Sequence, residues 1–178
     1  RLTRTDVSLF NDGCWLNDMC ITFYFEHLAR LHGEAMKPVL LMDANTAFWL
    51  LHQDDPEDLE EAAVGLELAD KELIICPIND SNDVTSATTG THWSLLVALR
   101  KPGTGMVFEY YDSLASSVNL RVAQNLAEKL QMSIFAGSTG RPKVMVVAAS
   151  QQSNSCDCGV YVLIFAEAVL TAFLDGTL

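Results

Sequence analysis

The sequence predicts an α+β domain, a mixed central sheet flanked by helices. Three observations carry this expectation: helix-period apolar segments lie at both ends of the chain, strand-like runs lie between them, and a turn rich in Pro and Gly folds two of those runs into a hairpin. "WLNDMCITFYFEHLARLHG", from Trp15 to Gly33, reads as a helix that Asn17 or Asp18 can cap. Met19, Ile21, Phe23, Phe25 and Leu28 form its apolar face and Gly33 ends it. "KPVLLMD" is a short strand after a proline. "ANTAFWLLHQ" and "DPEDLEEAAVGL" are two further helices, the second with Pro56 in its first turn and acids near its positive end. "ELIICPIND" is a buried strand, and "DSNDVTSATTGT" is a loop by composition.

"THWSLLVALR" and "MVFEYYDS" are strands separated by Lys101-Pro102-Gly103-Thr104-Gly105, which makes a hairpin the simplest connection. With Arg100 facing Met106 across that turn, Ser94 falls opposite Asp112. His92 then lies diagonal to Asp112 on the same face, about 7 to 8 Å away between backbone positions. A slip of one residue would part them. "NLRVAQNLAEKLQM" follows as an amphipathic helix and "KVMVVAA" as a strand. Gly159 to Phe173 is a helix apolar on nearly every side, and is therefore expected at the centre.

With 178 residues, 49% of them hydrophobic, the chain can bury a core, and one domain spanning 1–178 is expected. The longest apolar stretch, Val160 to Leu174, is cut by Glu167 and falls short of the roughly 20 residues that cross a bilayer. The segment "RLTRTDVSLFNDG" has no apolar core of the secretory kind, so a soluble chain is expected. Five cysteines, Cys14, Cys20, Cys76, Cys156 and Cys158, are an odd number in a chain that needs no staples. They favour a reducing compartment, cytoplasm and/or nucleus, over a disulfide framework. None of His27, His32, His52 and His92 lies near the Cys156/Cys158 pair, so no metal is expected. The net charge of -12 argues against nucleic acid and anionic membrane as partners and suits a basic protein. Its densest part, "QDDPEDLEEA" from Gln53 to Ala62, is read as a solvated helix start, with partner steering as the alternative.

Chemistry gathers around "SNSCDCGVYVLIF". At the start of a helix Cys158 meets unpaired backbone N–H groups and the positive end of the dipole, which favour thiolate and make a nucleophile. Gly159 suits a place where substrate or another backbone comes close. Cys156 precedes the helix and receives less of that field. A small buried hydrophobe is the plain alternative for either cysteine. A thiol protease also needs a base and a group to orient it, and the hairpin supplies His92 and Asp112. Either could instead be ordinary, a surface histidine and a strand-ending turn residue. Gln152, six residues before Cys158, can donate to an oxyanion. Gln151 competes for that role, and either could be a solvated loop amide.

"GTHWSLLV", "YYDS" and "QSNSCDCGVYV" together resemble the papain-like cysteine proteases that cleave ubiquitin-like modifiers, the sentrin/SUMO-specific protease family. His92-Trp93, Asp112, Gln152 and Asp157-Cys158-Gly159 match its motifs in its order. The resemblance implies a papain-like fold, Cys158 as nucleophile, His92, Asp112 and Gln152 as its catalytic companions, and a non-catalytic Cys156; a cysteine at that place departs from the family pattern and is expected to add oxidation sensitivity. "WLND" resembles the family's N-terminal signature, which implies Trp15 as a flap over the modifier's tail and Asp18 as a polar contact. Trp93 would close the other side of a tunnel that admits only glycines. Compact length, "PINDSN" and "HWSLLV" point to the small deneddylase branch, which removes the ubiquitin-like neddylation modifier. No cofactor is implied. The partners are a ubiquitin-like modifier and its protein conjugates, met by a monomer. The rivals are a SUMO-specific protease of the same family, an acetyltransferase with a similar His-acid-Cys site, and a catalytically silent modifier-binding module.

Overall fold

The computed structural model describes residues 1–81, 90–135 and 140–178. Most of the expected loop at 80–91 thus lies outside the described residues. After a five-residue helix α1 (Arg4–Ser8), capped reciprocally by Thr3 and Asp6, comes α2 (Asp18–His32). Asn17 takes its cap, accepting from the Cys20 N–H, so Asp18 is already helical. The short α1 was not legible from the sequence, because five residues are too few to show a period.

The sheet runs in the order β1 (Val39–Leu41), β2 (Leu73–Asn79), β3 (Trp93–Lys101), β4 (Gly105–Tyr111), β5 (Val144–Val146). Its two outer pairs are parallel and its two inner pairs antiparallel. The β3–β4 register pairs Arg100 with Met106 and Leu95 with Tyr111, as the turn predicted, and this sets His92 and Asp112 at the same end of the hairpin. Helices cover both faces. Leu73, Ile75, Leu95, Val97 and Leu99 pack with α2 and α6 (Cys158–Leu174). Their alternating neighbours Ile74, Cys76, Ile78, Leu96 and Ala98 pack with α3 (Ala44–His52), α4 (Pro56–Gly65) and α5 (Ser117–Ile134). Burial on both faces is why β2 and β3 read as continuous apolar runs. Pro77 is tolerated in β2 because the pairing with β1 ends at Ile75, so no ladder bond is lost on that side.

α6 stands on one face of the sheet. Val162, Ala166, Val169 and Leu170 point inward, and each large apolar side chain buried there contributes about 1.5–3 kcal/mol. The expectation of a helix buried all round is corrected: Val160 and Ile164 are exposed, because α6 is an outer layer beside α2. Phe23 likewise leaves the expected apolar face of α2, at 40% exposure, while Cys20 joins that face. The acidic run forms the exposed start of α4, with Asp55 as cap and Pro56 first. No helix among the described residues is long and apolar enough to cross a membrane.

Candidate active site

Three element ends meet at one edge of the sheet. His92 immediately precedes β3, Asp112 immediately follows β4, and Cys158 is the first residue of α6. All three are buried, Cys158 to 1% exposure. Asp112 accepts four hydrogen bonds. His92 Nε2 (2.7 Å) and the Leu114 N–H (2.9 Å) reach Oδ1, while the Tyr110 hydroxyl (2.7 Å) and the Ser116 N–H (2.6 Å) reach Oδ2. Burial alone would raise its pKa, but the hydrogen bond from His92 and the other donors outweigh burial and hold the carboxyl below its usual range. An ionised carboxylate only accepts, so Nε2 must carry a proton.

On His92, burial opposes the charged ring most strongly. The hydrogen bond to Asp112 and the neighbouring Cys158 together overcome it and raise the pKa to about 9. With Nε2 committed to Asp112, Nδ1 is the ring atom left for the sulfur. Nδ1 is buried and makes no complete hydrogen bond among the described residues, while the Cys158 thiol acts on the ring from close by. The arrangement can keep an imidazolium beside the sulfur at neutral pH and exchange a proton with a reacting atom there. No side chain caps α6, so its first backbone N–H groups remain open to an anion.

The backbone of His92 is itself held. Asp80 accepts from the N–H groups of Thr91 (2.5 Å) and His92 (3.0 Å), and Asn119 Nδ2 donates to the His92 carbonyl (3.2 Å) and to Ser94 Oγ (3.0 Å). Sequence reasoning missed both residues. Asp80 lay in the quoted "PINDSN" without a role, and nothing local marks Asn119, which sits in the first turn of α5.

Gln152 is buried in the loop before α6. Its N–H donates to the Ser113 carbonyl (3.0 Å) and its Nε2 to the Asn154 carbonyl (2.7 Å). Gln151 is exposed and spends its amide on the carbonyls of Asp112 (2.9 Å) and Ala149 (3.1 Å), which ties the loop to the acid. Cys156 precedes α6, and its Sγ points at Asp157 Oδ1 (3.6 Å). Desolvation and that carboxylate push its pKa up, which disfavours a thiolate there. Burial raises Cys20 and Cys76 as well.

The N-terminal signature reaches the same place. Leu16 packs against the start of α6, where a Cβ on Gly159 would come within 2.8 Å of Leu16 Cβ. The close neighbour of Gly159 is therefore a side chain of this chain. Trp93, at 9% exposure, donates its indole N–H to the Leu16 carbonyl (2.9 Å), and Trp15 beside it is 44% exposed. Asp18 is the first residue of α2 and accepts from Asn45 Nδ2 (3.2 Å). All five cysteines are free, and among the described residues no group of three or more His, Cys, Asp or Glu could hold a metal ion.

A thiol at a helix N-terminus, beside an imidazole paired with a carboxylate at one end of a mixed sheet, defines a cysteine protease of the papain-like class. Residues 14–176 match the family described as "Ulp1 protease family, C-terminal catalytic domain". Over 175 residues the chain is 33% identical to NEDD8-specific protease 1 of Arabidopsis thaliana, covering 98% of this chain and 74% of that protein. It is 34% identical to sentrin-specific protease 8 of Homo sapiens over 174 residues, 97% of this chain and 78% of that protein. The fold resembles Xanthomonas campestris effector protein XopD bound to ubiquitin, with a TM-score of 0.73 at 24% identity, over 99% of this chain and 87% of that one. The chain belongs to the Ulp1 protease family, and the expectation drawn from its motifs was right as to family, fold and class of enzyme.

Proposed function

We propose that this chain is a thiol isopeptidase and endopeptidase that cleaves after the C-terminal diglycine of a ubiquitin-like modifier, with NEDD8 preferred, freeing it from lysine conjugates and maturing its precursor. The observation that carries the reaction is the buried imidazole held by Asp112 at one nitrogen, with Cys158 beside the ring. What supports the modifier is its likeness, at 33–35% identity over nearly the whole chain, to proteases named NEDD8-specific protease 1 and sentrin-specific protease 8.

In this reading the Cys158 sulfur attacks the carbonyl of the second glycine. The negative oxygen that forms is met by a Gln152 amide N–H and by the Cys158 backbone N–H. His92, oriented by Asp112, passes its proton to the departing lysine amine, and the amine leaves as the thioester forms. Water then loses a proton to His92, attacks the thioester, and releases the modifier's carboxylate and the thiol. Trp15, next to Leu16 in the chain, and Trp93, bonded to the Leu16 carbonyl, bound a passage too narrow for side chains, and Asp18 meets the modifier's polar groups. The enzyme works as a monomer in a reducing compartment, cytoplasm and/or nucleus.

Propargylamide probes of NEDD8, SUMO and ubiquitin, mixed separately with wild type and with Cys158→Ala, test it. A covalent adduct of wild type with the NEDD8 probe alone is expected. Faster labelling by SUMO would transfer the chain to the SUMO-specific reading, and labelling only by acetyl-CoA to the acetyltransferase one.

A further inference from the structure

We propose that Ser113 is a positioning residue of the oxyanion site, fixing which way the Gln152 amide faces. This rests on the role given to Gln152 above. An oxyanion needs an N–H, and a glutamine amide turned over by 180° would present an oxygen instead. Two contacts decide the matter. The Asn154 carbonyl can only accept, so Nε2 must face it (2.7 Å). The Ser113 hydroxyl donates to Oε1 at 2.5 Å and takes up the other end of the amide. One hydrogen of Nε2 then remains for the substrate.

The backbone closes the same clamp, since the Gln152 N–H donates to the Ser113 carbonyl at 3.0 Å. Ser113 is 1% exposed and follows Asp112 directly, so the segment that aims the imidazole also aims the amide. Without the hydroxyl, Oε1 would lose its donor in a largely buried site, and the amide would be anchored at one end only.

The test is a four-member cycle, wild type, Ser113→Ala, Gln152→Ala and the double variant, with kcat and KM measured on NEDD8 carrying a C-terminal aminomethylcoumarin. Gln152→Ala should lower kcat by about 10²–10³-fold, the cost of one oxyanion donor. Ser113→Ala should lower kcat about five- to thirtyfold at near-constant KM, the scale of one lost buried hydrogen bond. In the Gln152→Ala background the serine change should cost less than about twofold, because nothing remains to be aimed. An equal loss in both backgrounds, a change confined to KM, or no loss at all would overturn the proposal while leaving Gln152 its role. An unchanged kcat in Gln152→Ala would instead remove the oxyanion assignment itself. Should the alanine variant not fold, Ser113→Cys keeps the volume with a much weaker donor and carries the same cycle.

Discussion

Replacing Asp112 by Asn probes the charge arrangement most directly, because it keeps the shape and removes the charge. The carboxylate receives two donors on each oxygen, and an amide has only one accepting oxygen. With Nδ2 on the Tyr110 side, the tyrosine hydroxyl can rotate to accept, but the Ser116 N–H is left facing a donor. With Nδ2 on the His92 side, the Leu114 N–H is stranded and the imidazole must donate from Nδ1. Either orientation strands one backbone N–H, at about 1–3 kcal/mol of folding stability. The larger effect is on the ring. Raising His92 from its ordinary 6.5 to about 9 corresponds to about 3 kcal/mol of imidazolium stabilisation. Without the carboxylate the part of that stabilisation supplied by Asp112 goes, leaving the part from Cys158 against burial, so kcat should fall by about 10–10²-fold. Stopped-flow cleavage of the coumarin substrate gives the rate, and the His92 C2–H resonance followed against pH gives the titration. A wild-type His92 titrating near 6.5, or an Asn variant within threefold of wild-type kcat, would refute the reasoning.

Cys158→Ala should abolish cleavage while binding of the modifier, read by calorimetry, persists, whereas Cys156→Ser should cleave at a near-normal rate; the reverse pattern would move the nucleophile. Gly159→Ala drives a methyl group to within 2.8 Å of Leu16 Cβ, so a loss of about 1–3 kcal/mol in urea unfolding is expected, together with a raised KM as the Trp15–Leu16 segment shifts. The folded-state pKa of His92 lies above its unfolded value, so its stabilisation is complete below about 6.5 and is lost as pH rises through about 9. Thermal midpoints should therefore fall across that window in wild type and stay flatter in His92→Gln.

Local pattern made much of the site legible. The apolar run after Cys158 marked a helix start and the Pro-Gly turn set the β3–β4 register, which placed His92 near Asp112; the choice of Cys158 over Cys156 came from the resemblance of the motif. Gln152 could not be separated from Gln151 by spacing, since adjacent loop amides differ only in which one the fold buries. The outward stripe of Val160 and Ile164 was equally hidden, because apolar residues look alike whether they meet the sheet or solvent.

What the sequence by itself determined is which candidate side chains meet and the ends of the elements that carry them, because caps, turns and periods act over a few residues. Only the tertiary structure decided how those groups are held: Asp80 and Asn119 on the backbone of His92, Ser113 on the amide of Gln152, Leu16 on Gly159. These contacts join parts of the chain far apart in sequence, and no local period records them. They exist because packing α5, α6 and the N-terminal segment against one sheet brings backbones into close contact and buries polar atoms that must then find partners.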